Sequence, residues 1–232
     1  NLRIKNRIAM APMGVFGLVT QDGCFNQRAI NYYVERAKGG VGLIITGLTK
    51  IENEIEKYKP GQVPTVSINP SHFISTAVEM TEKVHAFGSK IFLQLGIGFG
   101  RVAPISKLIT KPIAPSVIPN YWQPNQMCRE LTTEEVVILV KKTGDASEIA
   151  YRAGFDGVEI HAVHEGYLLD QFAISLFNKR NDKYGGNLHG RLTFPIEIVS
   201  EIKNRLGREF PVQLRYSIKS FIKDWRKGAL PG

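Results

Sequence analysis

Short apolar segments alternate with longer amphipathic segments along the chain, and this alternation predicts strands that alternate with helices. The predicted strands cover residues 7–10, 41–46, 90–95, 157–161 and 212–216. The predicted helices cover about residues 27–38, 72–87, 133–153 and 191–206. Repeated strand–helix units with strongly apolar strands are typical of a parallel sheet covered by helices.

Two of the helix starts are predicted from capping residues. Ser71 can cap the second helix, which a glycine at position 88 ends. Thr132 is followed three residues later by Glu135, which is the spacing of a capping box. We therefore expect the third helix to begin directly after Thr132.

Either a doubly wound sheet or a (β/α)8 barrel would fit this alternation. Chemically distinctive residues end or follow five different predicted strands: Met13, Gly47, Gln94, His161 and Arg215. Convergence of several strand ends on one site is typical of the TIM barrel. A doubly wound sheet concentrates its ligand at one switch point with a glycine-rich loop, and GIGFGR at residues 96–101 has the wrong spacing for that loop.

The number of strands indicates a partial barrel. About five strands are predicted, a TIM barrel has eight, and the sequence stops soon after the fifth. We expect residues 1–232 to form the N-terminal portion of one barrel domain that is incomplete at its C-terminal end.

Composition narrows the function classes. Of 232 residues, 43% are hydrophobic and 22% charged, as in ordinary globular proteins, and no apolar run is long enough to predict a membrane span. Cys24 and Cys128 are far apart in the sequence, and the sequence start lacks signal-peptide features. We therefore expect the protein to work in the reducing cytoplasm. The formal charge of +9 is typical of a protein with a solvated basic face, and it would also suit the binding of a phosphate-bearing ligand. No nucleic-acid recognition motif accompanies it.

The segment GVEIHAVHEGYLLDQF, residues 157–172, carries the most concentrated chemistry. Residues three apart in a strand face opposite sides, so His161 and His164 can converge only if the strand ends near His161. Two histidines and Glu165 could ligate a metal, but no third spaced ligand is evident, and we predict no metal site. Ordinary structural histidines are the other interpretation.

Two further polar residues stand in apolar strands. The carboxamide of Gln94 can both donate and accept hydrogen bonds, and a buried glutamine bonded to neighbouring backbone is the alternative. Arg215 is costly to bury unless an anionic group compensates it, and that group could be a ligand or a salt-bridge partner.

Six motifs in chain order resemble the Old Yellow Enzyme family of NADH:flavin oxidoreductases: NRIAMAPM, GLIITG, FLQLG, GVEIHAVHEGYLLDQF, NKRNDKYGG and PVQLRYS. The chain is most similar to the subgroup of dienoyl-CoA reductases and bile-acid-inducible flavin oxidoreductases. The resemblance implies an FMN-binding TIM barrel. It implies hydride transfer from NADH or NADPH to the flavin, and then to an activated C=C bond of a small unsaturated carbonyl compound.

The resemblance also implies roles for single residues. Beside the flavin ring it places the backbone of Ala11, Pro12 and Met13, and it gives Gly47 a close backbone approach to the ring. Gln94 would bind the pyrimidine edge of the flavin ring. Arg215 would bind the negative charge at N1 and C2=O of the reduced flavin. Many relatives carry Cys or Thr where this chain has Gly14, so that tuning group is absent or moved.

On the substrate side, enzymes of this family hold the carbonyl oxygen of the substrate with two hydrogen-bond donors. The resemblance implies that Tyr167 supplies the proton to the alkene carbon that does not receive the hydride. The resemblance makes His161 the first of the two hydrogen-bond donors. Glu165 intervenes before the glycine of the usual motif, so His164 and Glu165 both remain candidates for the second.

Full family members continue through three more strands, whose loops hold the FMN phosphate, and the larger subgroup adds FAD and an iron–sulfur cluster. Two alternatives stay open: an inactive barrel fragment that does not hold flavin, and a metal-dependent barrel enzyme using His161, His164 and Glu165. The sequence leaves open the substrate, the choice of NADH or NADPH, and whether the protein forms a homo-oligomer.

Overall fold

The computed structural model describes residues 2–14, 17–164 and 167–218. Its strands are β1 (Ala9–Met10), β2 (Leu43–Ile45), β3 (Thr49–Lys50), β4 (Lys90–Gly96), β5 (Ile113–Ala114), β6 (Arg129–Glu130), β7 (Gly157–Ala162) and β8 (Val212–Tyr216). Its α-helices are α1 (Gln27–Lys38), α2 (Pro70–Ala86), α3 (Thr133–Arg152), α4 (Leu168–Ala173) and α5 (Leu188–Leu206).

The main sheet follows the order of the chain. Its strands run β1-β2-β4-β7-β8, every pairing is parallel, and β3 pairs with the end of β4. A sheet that adds each new strand beside the previous one never reverses direction, so it has no switch point and curls towards closure. This order confirms the prediction of a partial TIM barrel with five main strands.

The two faces of the sheet bury different side chains. The large core between sheet and helices contains residues such as Ile44, Ile91 and Val158. A small cluster of Leu2, Leu43, Ile45 and Phe92 lies apart from it. Since neighbouring residues of a strand face opposite sides, these alternating positions separate the helix-covered face from the barrel interior.

Capping residues set the helix starts. The hydroxyl oxygen of Thr132 accepts from Glu135 N at 3.1 Å, and Thr132 N donates to the Glu135 carboxylate at 2.9 Å. The predicted capping box is therefore confirmed. The prediction of Ser71 as the cap of α2 was wrong: Asn69 is the cap, and its side chain accepts from His72 N at 3.3 Å.

Several boundaries and short elements differ from the predictions. The first two strands are shorter than predicted, α5 begins three residues earlier because Asn187 caps it, and β7 extends to Ala162. Sequence patterns did not predict β3, β5, β6 or α4. Within the described residues, no helix combines the length and the apolar character needed to cross a membrane.

Candidate active site

A cavity of about 280 Å³ opens at the carboxyl ends of the parallel strands. Its walls come from β4, β7 and β8 and from segments that follow β1, β2, β4 and β7. They include Pro12, Met13, Gly47, Gln94, Phe99, His161, His164, Tyr167 and Arg215. The structure therefore brings together all but two of the residues predicted from the sequence. Ala11 does not line the cavity, and Glu165 lies outside the described residues.

Gly47 lies where two strand ends approach closely. A Cβ at this position would collide with the carbonyl oxygen of Met13. The backbone N–H of Gly47 donates to the hydroxyl oxygen of Tyr33 at 2.8 Å. Gly47 is thus required by the packing of the protein itself, and Tyr33 adds a hydroxyl group to the cavity wall that the sequence did not predict.

Gln94 is buried and bonded to a carboxylate. Its Nε2 donates to Oε1 of Glu159 at 2.7 Å, and Oε2 of Glu159 accepts from Nε2 of Gln213 at 2.7 Å. Glu159 is 1% exposed. Sequence reasoning missed Glu159 and Gln213. A signal for Glu159 was present, because Glu159 and His161 occupy alternate positions of the otherwise apolar strand β7 and therefore face the same side of the sheet.

Arg215 brings positive charge to the cavity. It is the register partner of His161 across β7 and β8. Its charge favours the ionised form of Glu159 and, together with burial, lowers the pKa of both histidines. A cation in this position suits a ligand that carries or develops negative charge.

The two histidines converge because the chain turns directly after β7. His164 adopts a left-handed backbone conformation, with φ of 76°. Its Nδ1 lies 3.1 Å from Nε2 of His161. Burial lowers the pKa of His161 to about 3, and His164 and Arg215 act in the same direction. His161 is therefore neutral, and its Nδ1 is buried without a hydrogen-bond partner in the described part of the chain.

Tyr167 packs against this pair. Its ring centroid lies 4.7 Å from that of His161 and 5.6 Å from that of His164. Phe99 contacts it edge-on, with centroids 5.2 Å apart. Burial raises the pKa of Tyr167, partly offset by Arg215, so the phenol keeps its proton at neutral pH. The cavity thus contains neutral imidazoles beside a phenol that keeps its proton.

Comparison with known proteins identifies the family. The model of the NADH:flavin oxidoreductase / NADH oxidase family matches residues 1–229. The chain belongs to this family. It is 62% identical over 230 residues to a cinnamate reductase of Clostridium sporogenes, covering 99% of this chain and 35% of the relative. It is 39% identical over 225 residues to an NADH oxidase of Thermoanaerobacter brockii, covering 96% and 33%.

A comparison of folds with solved structures gives the same result. An Old Yellow Enzyme homologue of Zymomonas mobilis superposes with a TM-score of 0.81 at 31% identity, covering 94% of this chain and 61% of that structure. The resemblance to Old Yellow Enzyme is thereby confirmed. The chain spans about a third of the length of the two enzymes above.

Membership implies FMN as the cofactor and NADH or NADPH as the hydride donor. The residues of the cavity fit a flavin ring: Gln94 supplies a carboxamide for the alternating N–H and C=O edge, and Arg215 supplies a cation. A metal-dependent reading is not favoured. In the described residues the group with metal-ligand geometry is Asp22, Cys24 and His72, which does not line the cavity.

Proposed function

We propose that the protein reduces the C=C bond of an α,β-unsaturated carboxylate or carbonyl compound, with bound FMN and with NADH or NADPH as reductant. The observation that carries this proposal is the grouping of His161, His164 and Tyr167 in one cavity with Gln94 and Arg215. The similarity to a cinnamate reductase supports an aryl-substituted enoate as the substrate class, because cinnamate carries its alkene next to a carboxylate.

FMN, held with its ring beside Gln94 and Arg215, would supply the hydride that is added to the β-carbon of the alkene, with the nicotinamide as the source of that hydride. His161 and His164 hold the substrate oxygen through imidazole N–H groups, and this contact stabilises the negative charge that the oxygen gains. Tyr167 donates its proton to the α-carbon, so one hydride and one proton are added across the double bond.

We assign the second oxygen donor to His164 rather than to Glu165. His164 contacts His161, lines the cavity and is adjacent to Tyr167. Burial and the charge of Arg215 lower its pKa, so it remains a neutral donor at pH 7. A neutral donor costs less to desolvate than an imidazolium.

The wider context is also a proposal. The relatives of about three times this length leave room for FAD and an iron–sulfur cluster in the full-length protein, as the subgroup resemblance implies. Both cysteines are free and buried, which agrees with a reducing cytoplasm. Small-molecule substrates are expected.

The test separates the two half-reactions by rapid mixing of the full-length flavoprotein. We expect Tyr167→Phe to reduce its flavin with NADH at the wild-type rate and to lose alkene reduction by about 10²- to 10⁴-fold, the usual contribution of a general acid. Tyr58→Phe is the matched control. Tyr58 is buried, its hydroxyl has no partner among the described residues, and it does not line the cavity.

Unchanged turnover of cinnamate by Tyr167→Phe would exclude the proton-donor role. If residues 1–232 alone did not retain the yellow flavin absorbance after desalting, the inactive-fragment reading would be favoured for this chain, and the activity would have to be tested in the full-length protein.

A further inference from the structure

We infer that Glu159 is a positioning residue of the flavin site: its carboxylate fixes the orientation of the Gln94 carboxamide and so decides which groups Gln94 presents to the cavity. The inference rests on the assignment of Gln94 to the flavin. It concerns a residue that makes its contact through another side chain, because Glu159 itself does not line the cavity.

The three side chains lie on one line across the barrel interior. Gln94 of β4, Glu159 of β7 and Gln213 of β8 are register partners in the parallel sheet. Each carboxamide donates its Nε2 to a different oxygen of Glu159, and both distances are 2.7 Å. Both oxygens of a side chain that is 1% exposed are therefore engaged.

The chemistry of a carboxylate makes this arrangement directional. An ionised carboxylate only accepts hydrogen bonds, so each amide must turn its NH2 group towards Glu159. Gln94 is then left with one N–H and its carbonyl oxygen for other partners. With a neutral residue at position 159, either orientation of Gln94 would be allowed, and one of them reverses donor and acceptor towards the flavin edge.

Two neighbours of Glu159, the Gln94 amide and Arg215, favour the ionised form that this role requires, whereas burial disfavours it. The groups facing Glu159 are the two amides, from β4 and β8, and Arg215, whose charge acts on it from β8. His161, two residues further along β7, is neutral. Burial raises the pKa of Glu159, and the Gln94 N–H and the charge of Arg215 oppose that rise.

A competing explanation is that Glu159 only ties β4, β7 and β8 together. Gln213 separates the two explanations, because it makes the same hydrogen bond to Glu159 from the other side. A structural tie would be weakened by loss of either amide. A positioning role depends on the Gln94 side alone.

The experiment measures the dissociation constant of FMN from the full-length apoprotein by fluorescence titration for wild type, E159M, Q94M, the E159M/Q94M double variant and Q213M. Methionine fills similar volume without a strong acceptor, and apolar replacement of a buried ionic group is often tolerated. We expect E159M and Q94M each to weaken binding about tenfold. The double variant should be no weaker than Q94M, and Q213M should stay within about threefold of wild type.

Three results would overturn the inference. The first is FMN binding by E159M as tight as in wild type. The second is a dissociation constant in the double variant that is raised by the product of the two single effects. The third is a loss of FMN affinity in Q213M equal to that in E159M. A Q94M variant with wild-type affinity would instead remove Gln94 from the flavin site, and with it the premise.

If E159M does not fold, the pH dependence of FMN affinity in wild type and in Q94M tests the inference instead. FMN affinity should fall as the pH drops through the pKa of Glu159 in wild type, since protonation lets Glu159 donate to Gln94. Q94M should lack this fall, whereas titration of the FMN phosphate affects both proteins equally. Identical profiles for wild type and Q94M would contradict the inference.

Discussion

Nδ1 of His164 lies 3.1 Å from Nε2 of His161, and both imidazoles face the same cavity. Two neutral rings in this contact share one proton, so one ring donates and the other accepts. A substrate oxygen that receives an N–H from both rings must replace this contact. In the proposed reaction the pair would bind this oxygen with groups that are already close together and already desolvated, which lowers the cost of reorganisation.

The left-handed backbone at His164 allows a sharp test of its donor role. Asparagine tolerates this conformation well and keeps an N–H donor, so His164→Asn should retain kcat/KM for enoate reduction within about tenfold. His164→Leu removes the donor and should cost about 10²- to 10³-fold, the usual effect of losing one oxyanion donor. Exposed His189 supplies the control variant His189→Leu. If His164→Leu matched wild type, the second donor would lie elsewhere.

Burial of neutral His161 predicts a pH-dependent stability. Its pKa is lowered from the ordinary value of 6.5 to about 3, so between these values the unfolded chain binds more protons than the folded chain. The stabilisation is fully present above pH 6.5 and is lost as the pH falls. From pH 7 to pH 5 this group alone should remove about 2 kcal/mol from the free energy of unfolding.

Urea unfolding at both pH values checks this. His161→Gln should lose about 2 kcal/mol less than wild type over the same range, whereas the exposed-site variant His189→Gln should follow wild type. Equal losses in wild type and His161→Gln would show that His161 is not buried in its neutral form.

Local rules predicted those parts of the fold that depend on neighbouring residues. The periodicity of residues 27–38 predicted α1 correctly, and Thr132 with Glu135 predicted the start of α3. The cap of α2 was missed because Asn69 and Ser71 are both good caps. Pro70 decides between them, since proline fits the first turn of a helix and pushes the cap to the residue before it.

Residue type alone was enough to select Gln94, Arg215 and Tyr167 as candidates, and all three line the cavity. Glu159 and Gln213 were missed because their hydrogen bonds exist only in the register of three strands, which join residues 65 and 54 positions apart. No pattern within one segment specifies that register. The approach of Tyr33 to Gly47 was missed for the same reason, since it depends on how α1 packs against the strand ends.

The capping box of α3 should contribute to stability and not to activity. Thr132→Ala removes the acceptor for Glu135 N and should cost about 1 kcal/mol in urea unfolding, with flavin binding unchanged. Ser75→Ala is the control, because the hydroxyl of exposed Ser75 donates to the His72 carbonyl oxygen within α2 and alanine is the better helix former. A loss for Ser75→Ala equal to that for Thr132→Ala would argue against a specific capping effect.

The last prediction concerns a buried ion pair behind the cavity wall. Glu56 is fully buried, lies 3.5 Å from Nζ of buried Lys50 and accepts from the backbone N–H groups of Phe99 and Gly100 at 2.9 and 2.8 Å. Burial raises the pKa of Glu56, and Lys50 and these N–H groups oppose the rise. Phe99 in turn packs on Tyr167.

Glu56→Gln should therefore lower both stability and alkene reduction. It removes the nearer of the two buried carboxylates beside Lys50, with Glu52 remaining at 3.9 Å, and we expect a cost of about 2 kcal/mol. Exposed Glu54 gives the control Glu54→Gln, expected within about 0.5 kcal/mol of wild type. In rapid-mixing experiments the alkene step should slow while flavin reduction by NADH is retained, because Glu56 holds the backbone of the residue that packs against Tyr167. A Glu56→Gln protein as stable and as active as Glu54→Gln would show that this pair does not support the cavity wall.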